Sequence, residues 1–193
     1  MWIIVGLGNP GPAYARNRHN VGHMCVDFLA RQRDIAWQRR QLYQWGEGQI
    51  EGQDMALAKP RTFMNTSGKA VAAVARTYRA QPSDILVIHD EMDLPPGKLR
   101  FKLGGSPAGH KGVESIIAAL GTRDFLRLRV GIGHPPGVEW LSPEAKAEVT
   151  AAYVLSDFAP EEGPLIREAV ARVSEAVAVL LTTGLDAAMS RFH

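Results

Sequence analysis

A long polar connection near the start of the chain is the feature that most limits how it can fold. Residues 6–22, GLGNPGPAYARNRHNVG, follow a buried-looking strand at residues 2–7 and lead into a periodic helix that begins near Val21. Strand-to-helix connections in compact α/β domains usually have about 2–6 residues, and much longer ones tend to be functional. Ligand sites of open α/β sheets lie beyond the carboxyl ends of strands. The sequence therefore predicts that Asn9 and His19 face a site.

The first part of this connection also matches a dinucleotide-binding pattern. Residues 6–11 fit G-x-G-x-x-G directly after a strand. That motif needs its last glycine to lead into a helix whose N-terminus holds a pyrophosphate. Here Pro10 and Pro12 flank the glycine, and the acidic residue expected roughly 20 positions on is missing, with Asp34 beyond it. We interpret the match as accidental, expect no nucleotide cofactor, and attribute the glycines to a sharp turn and close approach to a ligand.

Length and composition are those of one ordinary globular domain. The chain has 193 residues, of which 46% are hydrophobic and 22% charged, so a single domain over residues 1–193 is expected. No apolar run approaches the roughly 20 residues of a membrane helix, and the N-terminus lacks the order of a signal peptide. The single cysteine, Cys25, lies on the apolar face of a predicted helix. These features predict a cytoplasmic protein.

Helices and strands alternate along the chain, which indicates an α/β fold. Residues 85–88 form a continuous apolar run typical of a central strand, and residues 42–50 and 55–59 form two adjacent strands with a hairpin turn between them. Asn65 or Thr66 is expected to cap the helix that follows. The further predicted strands are 98–103 and 125–132, and the further helices are 67–78, 113–120, 143–151 and 161–183. The hairpin beside the interleaved elements predicts a mixed sheet.

Basic residues alternate with apolar ones along two of these strands. The basic positions are Lys98, Arg100, Lys102, Arg127 and Arg129. If the two strands lie close together and face the same way, these five cations line one surface. A solvated sheet face is the simpler explanation. No acidic residue neutralises the row between Lys98 and Lys111, however, which favours a polyanion as the partner.

His19 and Asp90 are the residues best suited to catalysis. His19 lies in the polar connection and Asp90 follows the apolar run 85–88, so both are expected on the ligand side of the sheet. Together they could form a pair in which the carboxylate orients the imidazole as a general base. The simpler alternatives are an exposed histidine and an aspartate that begins a turn.

Two asparagines, Asn9 and Asn65, lie on loops beside element ends. Their amides could bind a peptide backbone or an oxyanion, and capping or Asx-turn geometry is the alternative. Nucleophilic catalysis is not expected, because the chain has no G-x-S-x-G elbow and Cys25 lies on a core face. Metal catalysis is not expected either, because the histidines are scattered without metal-ligand spacing. Of the mechanisms considered, the activation of a water molecule by a His/Asp pair is the one that remains.

Four segments of the chain, in one order and over nearly its whole length, carry a family resemblance. They are GLGNPGPAYARNRHNVG, KPRTFMNTSGKAV, VIHDEMDLPPGKLRFKLGG and RLRVGIGHPPG. Together they resemble bacterial peptidyl-tRNA hydrolase. The resemblance implies a single-domain α/β fold with a mixed twisted β-sheet flanked by α-helices in three layers. It also implies cleavage of the ester between a peptide and the 3′ adenosine of tRNA, by a monomer that needs no metal or cofactor.

The resemblance further implies roles for individual residues. His19 would be the catalytic base and Asp90 its partner. The implied substrate-binding residues are Asn9, Tyr14, Met64, Asn65, His110 and Lys111. Among the five cations expected to bind tRNA, Lys102 and Arg129 fall where the family handles the tRNA backbone.

One segment, SPAGHK at residues 106–111, departs from the family pattern. The family commonly has a His-Gly-Gly-His-Asn run, so Lys111 stands where an asparagine is usual. Lysine has three donors and no acceptor and cannot copy an amide. It could instead stabilise negative charge on a tetrahedral oxygen or a terminal phosphate. A non-catalytic RNA-binding protein on the same fold is the alternative function, although RNA binding alone would need neither His19 nor Asp90.

Overall fold

A computed structural model describes residues 1–193, and its centre is one seven-stranded β-sheet. The strands are β1 (Trp2–Gly6), β2 (Gln38–Arg39), β3 (Tyr43–Ile50), β4 (Gln53–Pro60), β5 (Ile85–Glu91), β6 (Leu99–Leu103) and β7 (Leu126–Gly131). Their order across the sheet is β2-β3-β4-β1-β5-β7-β6. The four central strands, β4, β1, β5 and β7, are parallel, and β2, β3 and β6 pair antiparallel. The mixed α/β sheet predicted from the sequence is confirmed.

The structure has six helices, and five of them cover the two faces of this sheet. The six helices are α1 (Val21–Gln32), α2 (Ser67–Tyr78), α3 (Lys111–Leu120), α4 (Pro143–Val154), α5 (Gly163–Thr183) and α6 (Leu185–Arg191). Helices α1, α5 and α6 share one hydrophobic core with the sheet, and α2 and α3 share another on the opposite face. The expected three-layer domain is therefore present. None of the helices combines the length and the apolar character needed to cross a membrane.

Strand β5 is buried on both faces of the sheet and contributes side chains to both hydrophobic cores. Leu86 and Ile88 point into the core with α1 and α5, whereas Ile85 and Val87 point into the core with α2 and α3. Because successive side chains of a strand face opposite sides, a strand buried on both faces must be apolar throughout. Each such side chain stabilises the fold by roughly 1.5–3 kcal/mol. The carboxyl end of β5 thereby becomes a rigid base for the polar residues that follow.

The glycines of the first connection serve packing more than ligand approach. A Cβ on Gly6 would collide with the carbonyl of Gly22, and one on Gly8 would lie 2.6 Å from the ring of His23. These two glycines therefore let α1 lie directly against β1, which corrects the expectation that they approach a ligand. Gly11 does adopt a turn conformation, with φ of 99°.

Several element ends differ from the sequence prediction. Helix α3 begins at Lys111, two residues early, because the ring of His110 caps it. Helix α4 continues to Val154, and the short β2 and α6 were not predicted. Thr66 is the N-cap residue of α2, as one of the two predicted candidates, but its side chain makes no cap hydrogen bond.

Candidate active site

A cleft of about 440 Å³ opens at the carboxyl edge of the sheet, beside the ends of β1 and β5. Seven of the eight residues predicted to be catalytic or substrate-binding line it: Asn9, His19, Met64, Asn65, Asp90, His110 and Lys111. The eighth, Tyr14, does not line the cleft. Its ring lies edge-on to Phe63, with the ring centroids 6.2 Å apart, and Phe63 lines the rim.

His19 and Asp90 form the predicted pair. His19 Nδ1 lies 2.9 Å from Asp90 Oδ2, and the two side chains are 12% and 3% exposed. A carboxylate only accepts, so Nδ1 of His19 carries the proton and donates it to Asp90. Nε2 of His19 makes no hydrogen bond within the protein, and His19 lines the cleft. The pair thus presents an unprotonated imidazole nitrogen to the cleft.

The pair shifts the pKa of both residues. Burial alone would lower the pKa of His19, but the charge and hydrogen bond of Asp90 outweigh it and raise that pKa above its ordinary value of 6.5. Burial alone would raise the pKa of Asp90, but the imidazoles of His19 and His110 hold it well below its ordinary range. Asp90 is therefore a carboxylate around neutral pH.

Three histidines, scattered in sequence, converge on Asp90. His110 Nε2 lies 2.7 Å from Asp90 Oδ1, and the His89 and His110 rings meet edge-on with centroids 4.7 Å apart. The nearest donor atoms of His19, Asp90 and His110 lie within 4.8 Å of one another, a spacing a metal ion could bridge. Histidines that are scattered in the sequence are therefore close together in the folded protein, contrary to what their spacing indicated. A metal would first have to break both hydrogen bonds that these donor atoms share.

The orientation of the Asn9 amide is fixed by its neighbours. Its Oδ1 accepts from the backbone N–H of Met64 at 2.7 Å. Its backbone N–H and C=O are both bonded to the side chain of Asn20, each at 2.9 Å. Because Oδ1 is occupied, the Nδ2 donor of Asn9 is the atom left without a protein partner. Asn65 is exposed and its side chain makes no hydrogen bond, so its amide can turn either way.

Lys111 lies at the first position of α3 and is largely exposed. Its side chain is 69% exposed and lies 3.4 Å from Glu114. This pair is weak, because both side chains reach into water. The residues before it turn sharply, with positive φ at Ala108 (50°) and Gly109 (80°).

Four of the five predicted cations share one face of the β6–β7 pair, and Lys98 lies just before β6. Arg100 is opposite Arg129 and Lys102 is opposite Arg127 in the strand register, and facing residues of an antiparallel pair point the same way. The expectation that all five cations line an accessible surface is wrong for Arg127. Its side chain is buried and donates to the carbonyl of Gly104 at 3.0 Å.

An acidic residue that the sequence analysis did not consider also meets this face. Arg129 lies 3.5 Å from Glu91 at the end of β5, and Glu91 lines the cleft. The row is therefore partly neutralised at its inner end. The cationic face and the cleft adjoin each other at this ion pair.

Arg18, the residue before His19, ties this segment to the end of α4. Its guanidinium donates to Ser156 Oγ at 2.5 Å and to the carboxylate of Glu162 at 2.6 Å. It also lies 4.1 Å from the centroid of the Tyr153 ring. The buried arginine thus holds the catalytic candidate His19 against the connection between α4 and α5.

Helix α4 is the main part of the site that sequence reasoning missed. Ala147, Thr150, Ala151 and Val154 line the cleft, yet no residue of α4 is buried. These four residues have the spacing of one helix face, but they are small or polar apart from Val154, so the pattern did not stand out as an apolar stripe. Glu91 and Met92 were also missed, although their position after β5 could have indicated them.

The fold and the cleft define a single-domain α/β enzyme with an imidazole–carboxylate pair at the carboxyl edge of its sheet. The family model of peptidyl-tRNA hydrolase matches residues 3–193. The chain belongs to the peptidyl-tRNA hydrolase family.

Known peptidyl-tRNA hydrolases are similar to this chain over nearly their whole length. The peptidyl-tRNA hydrolase of Dehalococcoides mccartyi is 46% identical over 194 residues, covering 100% of both chains. That of Chloroflexus aggregans is 47% identical over 196 residues, covering 100% of this chain and 99% of its own. The crystal structure of the Acinetobacter baumannii peptidyl-tRNA hydrolase superposes with a TM-score of 0.90 at 36% identity, covering 100% of this chain and 94% of that one.

Proposed function

We propose that this protein hydrolyses peptidyl-tRNA, cleaving the ester between the peptide and the 3′ adenosine and releasing free tRNA and peptide. Its family and its relatives support this activity. The observation that carries the mechanism is the His19–Asp90 pair, with one imidazole nitrogen on a buried carboxylate and the other free at the cleft.

In the proposed reaction, water is the nucleophile. Nε2 of His19 takes a proton from the water molecule as its oxygen bonds to the ester carbonyl carbon. The tetrahedral intermediate then collapses, the bond from carbon to the 3′ oxygen breaks, and the imidazolium returns the proton to that oxygen. The peptide leaves as a carboxylic acid that ionises in water. Asp90 stays a carboxylate throughout, orienting His19 and stabilising its charged form.

The amides of Asn9 and Asn65 are assigned to the substrate. The free Nδ2 of Asn9 can donate to the developing oxyanion or to a peptide carbonyl, because its Oδ1 is already bonded to Met64. Asn65 can bind the amide next to the scissile ester. Met64 and the Tyr14–Phe63 contact supply apolar surface beside them. Lys111 is assigned an electrostatic role toward negative charge in the same complex.

The cationic face is assigned to the tRNA backbone. Lys98, Arg100, Lys102 and Arg129 offer charge to phosphates, and Arg127 supports them from below by holding the Gly104 carbonyl. Because this face adjoins the cleft at the Glu91–Arg129 pair, one substrate can reach both. The monomeric state, the cytoplasmic location and independence of metals expected from the sequence are part of this proposal.

Turnover of a defined substrate in EDTA tests the proposal. We expect N-acetyl-aminoacyl-tRNA to be hydrolysed with metals removed, and the matched aminoacyl-tRNA with a free α-amine to be spared. Sites built to hydrogen-bond a group strongly reject analogues that lack it. Binding of the substrate without any turnover would instead support the non-catalytic RNA-binding alternative. Activity that returns only with added metal would contradict the mechanism.

A further inference from the structure

His110 joins the N-terminus of α3 to the carboxylate of Asp90. Its Nδ1 lies 3.2 Å from the backbone nitrogen of Gly112 and 3.3 Å from that of Val113. Its Nε2 lies 2.7 Å from Asp90 Oδ1. The ring is therefore the N-cap of the helix, a position usually held by Ser, Thr, Asp or Asn.

These contacts determine where the proton of the ring lies. Backbone N–H groups only donate, so Nδ1 accepts from them and is unprotonated. The single proton of the ring is then on Nε2, which donates to Asp90. Neither nitrogen is left for a substrate, which departs from the substrate-binding role that the family resemblance implied for His110.

We propose that His110 is a positioning residue of the hydrolysis, setting the charge that Asp90 presents to His19; this rests on the function proposed above. Asp90 receives two N–H groups, from His110 on Oδ1 and from His19 on Oδ2. A carboxylate stabilised by a second donor is a weaker base and a weaker partner for the first. His110 thus controls the strength of the general base without contacting the substrate.

The other titratable groups around the pair are His89, Glu91 and Lys111. His89 is buried, and its Nδ1 contacts the backbone oxygen of Asp90 at 2.7 Å rather than the carboxylate. Glu91 is paired with an arginine of β7, and Lys111 with a glutamate of α3. His110 is therefore the one group besides His19 that bonds the Asp90 carboxylate.

Removing the N–H of His110 should raise the pKa of His19. More negative charge then faces His19, so the imidazolium form is better stabilised and titrates at a higher pH. We expect a rise of about 0.5–1 pH unit. The acidic limb of the pH–rate profile should move by the same amount, so that activity lost near neutral pH returns at higher pH. A residue that only capped the helix would leave this titration unchanged.

Two variants separate the cap from the donor. His110→Ser keeps a side-chain acceptor for the helix N-terminus but cannot reach Asp90, whereas His110→Ala loses both contacts. Long-range ¹H–¹⁵N NMR of the free, labelled protein reports the tautomer of His110 and the titration of His19. Thermal unfolding reports the cap.

The expected result has three parts. Wild-type His110 is protonated on Nε2 alone, the His19 midpoint and the acidic limb rise together in both variants, and unfolding temperature falls more in His110→Ala than in His110→Ser. A proton on Nδ1 of wild-type His110, an unmoved His19 midpoint in His110→Ser, or a moved midpoint with an unmoved rate profile would each overturn the inference. Absence of turnover in the wild type would instead refute the proposed function, since the NMR measurement uses no substrate.

Discussion

At the scale of single residues, the site depends on which nitrogen carries each proton. Asp90 fixes the proton of His19 on Nδ1 because a carboxylate can only accept. The backbone N–H of Met64 fixes the Asn9 amide so that its donor is free. Both constraints come from groups far away in sequence. The sequence could therefore predict that His19 and Asp90 meet, but not which tautomer or amide orientation results.

Substituting the pair should separate the base from its partner. We expect His19→Ala to lower kcat by about 10²–10⁴-fold with tRNA affinity largely unchanged, because general-base assistance contributes that much. Asp90→Asn should lose less, since the imidazole remains. Because Asp90 is what raises the pKa of His19 above 6.5, the acidic limb of kcat/KM should also move to lower pH in Asp90→Asn. Single-turnover rates between pH 5 and 9 measure both effects.

Two outcomes would contradict these roles. If His19→Ala kept more than about a third of wild-type turnover, another group would be the base. If Asp90→Asn lost more than His19→Ala, the assignment of base and partner would be reversed.

Lys111 tests the departure from the family pattern. If its charge acts in the complex, Lys111→Ala should lose about 10-fold or more in kcat/KM, while Lys111→Asn restores the usual family residue and retains activity. Rates over a salt series make the comparison. Glu114→Gln, which removes the only partner of Lys111, is the matched control and should not lower activity. Equal activity of Lys111→Ala and wild type at every salt concentration would mark Lys111 as an ordinary exposed lysine.

At the scale of elements, the pairing of β6 with β7 decides which cations can meet a polyanion. The alternation of basic and apolar residues correctly predicted that the four cations within these strands share a face. It could not indicate that Arg127 is buried, because that depends on the turn that brings the Gly104 carbonyl over it. Nor could it indicate Glu91, which reaches Arg129 from a strand distant in sequence.

The salt dependence of tRNA binding should reflect this arrangement. Lys102→Ala should flatten the log–log salt slope by about one contact, or roughly 0.7–0.9, and raise KM without changing kcat. Arg31→Ala is the matched control, because Arg31 is an exposed cation of α1 on the opposite face of the sheet. Binding titrations between low and moderate salt measure the slopes. An unchanged slope in Lys102→Ala would mean that tRNA occupies another surface.

Helices α3 and α4 mark the limit of pattern-based prediction at this scale. The apolar positions of α3 predicted its body, but its start depends on a histidine cap that propensity rules do not anticipate. No residue of helix α4 is fully buried, and its position over the cleft follows from the packing of Tyr153 and Val154 on the core and from the contacts of Arg18 with the segment after it. The start of α3 and the position of α4 both lie at the site, and functional sites are where local sequence rules most often fail to predict structure.

At the scale of the whole molecule, the fold encloses imidazoles that cannot easily become charged. Burial and the charge of Lys59 lower the pKa of His23 to about 3, and burial lowers that of His89 well below its ordinary value. In the unfolded chain both titrate near 6.5. The unfolded state therefore binds more protons as the pH falls, which destabilises the folded state.

The free energy of unfolding should accordingly fall as the pH is lowered from about 6.5 toward 3, the window set by His23. His23 alone should contribute a loss of roughly 3–5 kcal/mol over it. His19 adds no slope there, because its raised pKa matters only above 6.5, and Asp90 adds to the loss only near and below its ordinary value of 3.8. Urea unfolding of wild type and His23→Gln at several pH values measures the slopes.

His23→Gln should remove about one proton of linkage between pH 6 and 4, so its stability falls less steeply than that of wild type. The two curves should run parallel above pH 7, where His23 is neutral in both states, and any constant offset there is the packing cost of the substitution beside Gly8. This offset serves as the internal control. Parallel curves through the acidic range as well would mean that His23 becomes protonated in the folded protein, and that its ring nitrogen reaches water despite its burial.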